Sequence, residues 1–428
     1  MTRRPGHLRR TATQTQSHTD TRGGTTTMQP TSINSSKRAR RRLTGGLGAL
    51  TLTAALLSAC SSSHNSSAGT GSSTTGSAAT GSATTQAGSS PSTSGAAVPM
   101  KVEIYLGSYY TWLPYIAAAK GFFAKNGIDA QVVGLTSGGS VAFAALANGS
   151  ADVAMGDLSL SGPLLEKGVG LELISGAVNA GWQLVAPKGS TAPTTFPASV
   201  AALKGKPVGV VALGTSSYYY LQQLSKAAGL GENGVNYTAL GGVVANAVSA
   251  LGANRVAGAM VSPDAAYYLI NDQGDKLLFD TSSASALTSA GGLLATIAGK
   301  SSAGMWARSG WLNAHPGIDK KFQLAMDEAD VWMHQPANLP QVISTLQAEH
   351  DLATFEQGAG AQKFFAYALP DISAAVPGGE SGAADYMNFW VKSGLLTKAL
   401  PTSQWYSSSI PTTDSQVQSA ASAAGGGS

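Results

Sequence analysis

Two similar stretches decide the fold of this chain: LTSGGSVAFAALANGSADVAMGD at 135–157 and LGGVVANAVSALGANRVAGAM at 240–260. Each has a glycine pair, an Ala-rich run and a strand-like run. In each, a leucine precedes the strand methionine, Met155 or Met260, by nine positions. A glycine pair that opens a helix can present backbone N–H groups to an anion, but the first stretch lacks the lysine and the spacing of a nucleotide-binding loop. The repetition therefore predicts two copies of one structural unit.

Each stretch ends a βαβαβ pattern, because hydrophobic periodicity alternates between strand and helix along both copies. Such alternation predicts parallel strands covered by helices. Segments 171–189 and 293–312 are predicted to cross between the copies. The predicted strands lie at 101–107, 129–135, 151–157, 206–214, 235–242 and 256–263, and the predicted helices at 113–127, 141–149, 221–230 and 243–251.

We therefore predict an α/β fold of two lobes, with mixed sheets, flanking helices and a two-crossing hinge. Composition sets the remaining boundaries, because the region before position 100 has the low-complexity make-up of an unfolded tether. The predicted divisions are a leader at 1–59, a disordered Ser/Thr/Gly tether at 60–99, lobe 1 at 100–187 and 298–412, lobe 2 at 188–297, and a disordered tail at 413–428.

Charge is distributed unevenly along the chain. The formal net charge of +4 would suit a nucleic-acid partner. Residues 1–59, however, hold ten Lys and Arg side chains and one acid, which leaves 17 basic and 22 acidic side chains in the remainder, a net charge of −5. Removal of the leader would remove the basic character, so we expect no nucleic-acid partner.

The leader has the organisation of an export signal. A cationic cluster that includes Lys37 and Arg42 precedes a 15-residue, mainly apolar region at 43–57, which is shorter than a membrane-spanning helix requires. The sequence LSAC at 57–60 follows and resembles a bacterial lipobox, in which Cys60 would be acylated. We predict an exported protein that is lipid-anchored to the outer face of the cell membrane. The alternative is an ordinary secretory signal with a chance cysteine.

Three longer segments resemble the solute-binding proteins of ABC importers in the nitrate/sulfonate/taurine and thiamine-precursor group. They are YIAAAKGFFAKNGIDAQVV at 115–133, SGGSVAFAALANGSADVAMGD at 137–157 and LKGKPVGVVALGTSSYYYLQQLSKAAGL at 203–230; MNFWVKSGLL at 387–396 is similar to the family's last helix. The resemblance implies a type 2 periplasmic-binding-protein fold that closes on a small-molecule solute. It also implies a membrane permease with cytoplasmic ATPase subunits as partner, a monomeric state and no cofactor.

Ligands of open α/β sheets bind beyond the carboxyl ends of the strands. This rule selects six loops, at 108–112, 137–140, 156–159, 179–182, 214–218 and 262–264. The predicted ligand-binding residues in them are Ser108, Tyr109, Tyr110, Trp112, Ser137, Gly138, Gly139, Ser140, Asp157, Asn179, Trp182, Thr215, Ser216, Ser217, Tyr218, Pro263 and Asp264.

The chemistry of these loops bears on the solute. Lysine and arginine are absent from them, apart from the marginal Lys188, which disfavours an inorganic anion or a sulfonate without excluding it. Aromatic side chains with Asp157 and Asp264 favour a flat heterocycle or a cation stacked between rings. Alternatively, the rings pack internally and Asp157 caps the next turn. The related family commonly has Trp-Glu-Pro-Tyr where this chain has VSPDAAY, so Ser262 replaces the acid and Asp264 follows the proline.

An enzyme is the main alternative class, because some proteins of this fold synthesise a thiamine pyrimidine. The chain has no cysteine after Cys60, and His315, His334 and His350 are scattered. The fragment GKSS at 299–302 lacks the first glycine of a phosphate loop. We expect no catalytic residue and no metal ligand. A surface lipoprotein that senses a ligand without transporting it is the third alternative.

Overall fold

The computed structural model describes residues 96–425, apart from 106–107, 136–138, 180, 243 and 349–359. The predicted leader, Cys60 and most of the predicted tether lie outside these residues. Within the described part, no helix combines the length and the apolar character needed to cross a membrane.

Ten strands in the described residues form two five-stranded sheets. The first sheet has the order β2-β1-β3-β10-β4 and the second the order β7-β6-β8-β5-β9. The strands are β1 (Val98–Tyr105), β2 (Ile128–Leu135), β3 (Val153–Gly156), β4 (Leu171–Gly176), β5 (Gln183–Ala186), β6 (Pro207–Val210), β7 (Asn236–Ala239), β8 (Gly258–Val261), β9 (Lys276–Asp280) and β10 (Gly304–Arg308).

Helices flank both sheets and continue after β10. They are α1 (Trp112–Ala119), α2 (Phe122–Lys125), α3 (Gly139–Asn148), α4 (Leu158–Glu166), α5 (Ala198–Ala201), α6 (Ser216–Ala227), α7 (Val244–Gly252), α8 (Pro263–Asn271), α9 (Ala284–Ala290), α10 (Gly292–Ala295), α11 (Ser309–Ala314), α12 (Ile318–Met333), α13 (Leu339–Ala348), α14 (Ala361–Ala368), α15 (Gly379–Lys392) and α16 (Asp414–Ala423).

The two sheets are built alike, which confirms the predicted repeat. In each, three strands of one βαβαβ unit run parallel, and an antiparallel strand pairs with the third of them. The repeated methionines hold equivalent positions, because Met155 pairs with Met305 of β10 and Met260 with Leu184 of β5. Both methionines are buried. The predicted α/β fold with mixed sheets and two crossings is confirmed.

The first crossing lies within the predicted segment 171–189 but ahead of the predicted lobe boundary. Strand β5, at Gln183–Ala186, belongs to the second sheet, where it pairs antiparallel with β8 and β9. The second sheet therefore includes residues that precede the predicted lobe boundary between 187 and 188, because backbone pairing begins at Gln183. The segment between β4 and β5 makes this crossing, and the segment between β9 and β10 makes the return.

Two predicted helices have different bounds. The helix expected at 113–127 is divided into α1 and α2 at Gly121, whose φ of 75° is left-handed and interrupts the helix. Helix α6 begins at Ser216, within the segment expected to be a loop. The Ser217 hydroxyl accepts a hydrogen bond from the Val211 N–H at 3.0 Å and so fixes the start of this helix against the end of β6.

The ends of the folded region also differ from the prediction. Strand β1 begins at Val98, inside the segment assigned to the tether, and Val98 N–H donates to Gly127 O at 2.9 Å. The segment predicted as a disordered tail contains α16, which packs on α12. Val417 and Ala421 of α16 are buried in the first core. These two residues are four positions apart and form one apolar stripe on an otherwise polar helix. So short a stripe does not predict a helix from sequence when the surrounding residues are mostly Ser, Ala and Gly.

The docking of α16 predicts a measurable contribution to stability. We expect Val417→Asp to lower the free energy of unfolding by at least about 2 kcal/mol, because it buries a charge without a partner. Gln418→Asp, at an exposed position of the same helix, is the matched control. Chemical denaturation monitored by circular dichroism provides the measurement. Equal stabilities of the two variants would show that the helix does not pack.

Candidate functional site

Strand ends from both sheets meet at the beginning of α8. A 3₁₀ turn at Tyr109–Thr111 follows β1, and α8 starts directly after β8, with Pro263 in its first turn. Asp264 lies close enough to Tyr109 for its charge to raise the pKa of the Tyr109 hydroxyl. The first and second βαβαβ units therefore each provide side chains to one site.

Asp264 is the most unusual residue of this site. Its side chain has no exposed surface, and neither carboxylate oxygen accepts a hydrogen bond of good geometry from any described residue. Burial raises its pKa to about 6, although the nearby Ser262 hydroxyl and the N–H groups at the start of α8 oppose this rise. Buried charged groups normally have a partner, so an unpaired carboxylate here is a candidate for ligand contact.

Aromatic side chains lie near this carboxylate. Tyr267 of α8 packs against Phe364 and Tyr367 of α14, with ring centroids 5.1 and 4.8 Å apart. Tyr109 packs edge-on against Tyr110 at 5.2 Å and lies 6.3 Å from Phe364. Burial raises the pKa of Tyr367 to about 12 and that of Tyr109 well above 10, so these phenols are neutral hydrogen-bond donors at ordinary pH.

Two more carboxylates lie around the same phenols. Asp371 accepts a hydrogen bond from the Tyr109 hydroxyl at 3.0 Å, and Asp280 accepts one from the Gln183 amide at 3.1 Å. Gln183 also donates to the Tyr367 hydroxyl at 3.1 Å. Burial raises the pKa of both carboxyl groups. None of the described influences on the pKa values of these two groups, or of Asp264, comes from a basic side chain.

The first crossing segment borders the site. Asn179 N–H donates to Asp371 O at 2.7 Å, while the Asn179 side-chain oxygen is buried and without a partner among the described residues. The Tyr110 hydroxyl donates to Gly181 O at 2.8 Å, and the Trp182 indole N–H donates to the Ser216 hydroxyl at 3.1 Å. Hydrogen bonds to Tyr110 of the first βαβαβ unit and Ser216 of the second therefore hold the crossing segment.

A second group of polar side chains centres on Asp157. Its carboxylate accepts hydrogen bonds from the Ser159 N–H at 2.9 Å and from the Ser159 hydroxyl, so Asp157 caps α4. Burial nevertheless raises its pKa. Its charge contributes to the raised pKa of Tyr220 and of Tyr386, whose hydroxyls are 3.3 Å apart. The alternative role considered for Asp157, a helix cap, is present, and a ligand role stays a prediction.

Close packing fixes the position of Asp157. Gly156 precedes it, and a Cβ atom at that position would overlap the ring of Phe143. The Trp306 indole N–H of β10 donates to Gly156 O at 3.2 Å. The end of β3 is thereby held between a buried ring and the antiparallel strand.

Several predicted site residues lie elsewhere or have local partners. Trp112 has no exposed surface and stacks on Phe365 at 4.2 Å, so it supports Tyr109 from the core. Thr215 and Ser217 are 3.0 Å apart through their hydroxyls at the start of α6. The Tyr218 hydroxyl accepts from Gln222 at 2.9 Å.

The remaining predicted residues lie at element ends. Ser108 caps the 3₁₀ turn, with its hydroxyl facing the Tyr110 N–H, while Gly139 and Ser140 begin α3. Ser137 and Gly138 lie outside the described residues.

Sequence reasoning missed Gln183, Tyr267, Asp280, Tyr367 and Asp371. Asp280 ends β9, so the rule for strand ends would have found it if that strand had been included. Tyr367 and Asp371 lie on α14 and the turn after it, where no sequence motif marks them. Only the packing of α14 against α8 brings them to the site.

The two described histidines, His315 and His334, have structural partners, and His350 lies outside the described residues. Asp330 raises the pKa of His334 to about 9 against the effect of burial, and His334 also contacts Leu369 O at 2.9 Å. The His315 ring nitrogen contacts Trp311 O at 2.9 Å. Across the described ranges, no group of three or more His, Cys, Asp or Glu residues could hold a metal ion.

The raised pKa of Asp264 makes a prediction about stability. The pKa of Asp264 rises from 3.8 to about 6 on folding, so its charged form disfavours the folded state. The free energy of unfolding therefore falls as the pH rises from about 4 to about 6, and the full destabilisation is present above pH 6. A difference of this size corresponds to about 3 kcal/mol. We expect Asp264→Asn to raise the melting temperature of the unliganded protein more at pH 8 than at pH 4.5.

Calorimetric melts at both pH values measure this effect. Asp272→Asn, at an exposed position next to the last residue of α8, is the control and should show no such difference. An equal gain at both pH values would contradict the assignment of an unpaired buried charge to Asp264.

Comparison with known proteins finds a matching family model and several solved structures of the same fold. Residues 110–286 match the family model described as NMT1/THI5 like. No curated protein is similar enough in sequence to match the chain.

Solved structures share the fold at low sequence identity. The alkanesulfonate-binding protein SsuA from Xanthomonas axonopodis pv. citri, bound to MOPS, is 16% identical with a TM-score of 0.55, and the match covers 73% of this chain and 100% of that one. The periplasmic aliphatic sulphonate binding protein SsuA from Escherichia coli is 16% identical with a TM-score of 0.56, over 72% and 96% of the two chains.

The periplasmic nitrate-binding protein NrtA from Synechocystis PCC 6803 is 16% identical with a TM-score of 0.56, over 76% and 89% of the two chains. These similarities show the fold, and the family match covers the segment that contains both sequence repeats. Residues 110–286 of the chain match the NMT1/THI5-like family model, and the chain has the periplasmic-binding-protein fold.

Proposed function

We propose that this protein is the extracytoplasmic solute-binding component of an ABC importer. The observation that carries the proposal is Asp264, a fully buried carboxylate that accepts no hydrogen bond of good geometry from the described residues and lies near the phenols of Tyr109 and Tyr367. Such a group, at the junction of two sheets and beyond their strand ends, suits ligand capture. The names of the structural neighbours, which bind sulfonates or nitrate, support a binding role.

Capture in this proposal depends on relative movement of the two sheets. Asp264 has no exposed surface, so a solute reaches it only when α8 separates from α14 and from the Tyr109 turn. Contacts such as Tyr267 with Phe364 then close around the bound solute. The solute is a small planar nitrogenous or aromatic molecule, because rings and acceptors dominate the site. The proposed contacts of the solute also include Ser108, Asn179, Ser216, Pro263 and Asp157.

The proposal includes the location and partners of the protein. The lipobox-like LSAC at 57–60 would anchor Cys60 to the outer face of the cell membrane. The Ser/Thr/Gly segment after it lets the folded part reach a membrane permease, whose ATPase subunits act in the cytoplasm. The binding protein acts as a monomer. In this proposal lobe 1 contains the first sheet, and lobe 2 contains the second sheet and therefore includes Gln183–Ala186.

A screen of solutes tests the binding function. Full-length protein is melted in the presence of amines, pyrimidines, aromatic acids, taurine and nitrate. We expect at least one nitrogenous solute to raise the melting temperature, since a ligand at 100 times its Kd stabilises the folded state by about 2.7 kcal/mol. Mass spectrometry should recover that solute unchanged, which separates binding from the enzyme alternative. A melting temperature that no solute moves would contradict the proposal.

Fractionation of expressing cells tests the anchor. We expect Cys60→Ser to move the protein from the membrane fraction to the soluble extracytoplasmic fraction, because the thiol is the site of acylation. Ser61→Ala, one position later, is the matched control and should stay with the membrane. Retention of Cys60→Ser in the membrane fraction would leave an uncleaved leader as the anchor and contradict the proposed acylation.

A further inference from the structure

The site offers hydrogen-bond acceptors to which no described donor makes a hydrogen bond of good geometry. Both carboxylate oxygens of Asp264 and the side-chain oxygen of Asn179 are buried and without partners among the described residues. Contacts through Asp371 and Tyr109 place these acceptors in one region: Asn179 N–H donates to Asp371 O, the Asp371 carboxylate accepts from Tyr109, and the charge of Asp264 acts on Tyr109. A ligand that fills this site must therefore donate hydrogen bonds.

The charge around these acceptors is negative. Asp264, Asp280 and Asp371 all lie within electrostatic range of the Tyr367 hydroxyl. The hydrogen bonds described for Asp280 and Asp371 come from neutral donors: a phenol, an amide and a backbone N–H. Neutral donors satisfy lone pairs but leave the net charge uncompensated in a poorly hydrated site. A neutral heterocycle would likewise donate hydrogen bonds but leave the negative charge of the site uncompensated.

The rings around Asp264 add a geometric requirement. Tyr267, Phe364 and Tyr367 form a continuous aromatic surface with centroid separations of 4.8 to 6.3 Å. Aromatic faces attract cations, most strongly when water is excluded. A flat cation with several N–H donors satisfies the rings, the charge and the free acceptors together.

The geometry points to a planar organic cation of the amidine or guanidine type as the ligand class, with its N–H groups donating to Asp264 and Asn179. This inference rests on the proposed binding function and specifies its site. The preference for positive charge is opposite in sign to the anions named for the sulfonate-binding and nitrate-binding neighbours.

A matched series of probes tests the charge preference. Benzamidine, benzamide and benzoate share one ring and nearly one size, and they carry positive, zero and negative charge. Titration calorimetry on the full-length protein should show benzamidine binding at least about tenfold more tightly than benzamide, because hydrogen bonds to a charged group are the stronger ones. Benzoate should bind more weakly than benzamide.

Variants assign the preference to Asp264. Asp264→Asn should lower benzamidine affinity at least about tenfold and leave benzamide affinity within about threefold, since a charge is removed with little change in shape. Asp272→Asn, exposed near the end of the same helix, should retain the wild-type order of affinities. A melting curve of each variant verifies that it is folded.

The outcomes separate this inference from the proposed function. If benzoate or benzamide binds at least as tightly as benzamidine, or if benzamidine has no effect while another solute of the screen binds, the charge inference is overturned and the binding function stands. If neither this series nor any solute of the screen binds, the binding function itself is overturned. An unchanged benzamidine affinity in Asp264→Asn would show that Asp264 does not bind the cation.

Discussion

The structure depends on two antiparallel strands that each reach an interior position of a sheet through a crossing. β10 lies between β3 and β4, and β5 lies between β8 and β9, so both strands are paired along both edges. A strand in this position cannot leave without breaking ladder hydrogen bonds on two sides. The crossings are therefore fixed at both ends, and the strand ends that follow β1 and β8 are brought to one place.

This arrangement explains why an unfavourable carboxylate can be buried. The position of Asp264 follows from β8 and Pro263, and the rings against it come from α14 and from the turn after β1. The stability of both sheets holds the group in an environment that raises its pKa to about 6. Strained or unsatisfied groups persist where the surrounding structure determines their position, and they concentrate at functional sites.

Much of the fold could be predicted from sequence because burial leaves periodic patterns. The repeat around Met155 and Met260 predicted the parallel units, and the paired positions of these methionines in the two sheets confirm it. The errors occur where one backbone angle or a short contact overrides composition. Gly121 divides a helix through its left-handed φ, and Val417 docks a helix whose sequence is typical of a disordered tail.

The candidate site was predictable only in part. Asp264 and Tyr109 follow strands, and the rule for strand ends finds them from sequence. Tyr367 and Asp371 come from the helical region far along the chain, and no local pattern connects them with α8.

By itself, the sequence determined the two α/β units, their order, the two crossings and an acid after the third strand of each unit, because these features depend on local periodicity and on chain connectivity. Only the tertiary structure decided which of these two acids, Asp157 or Asp264, accepts no hydrogen bond of good geometry from the described residues. Asp157 finds donors in its own next turn, at Ser159, whereas Asp264 is placed against rings from distant segments that offer it none. The difference depends on what packs around each carboxylate, and packing between distant segments leaves no local signal in the sequence.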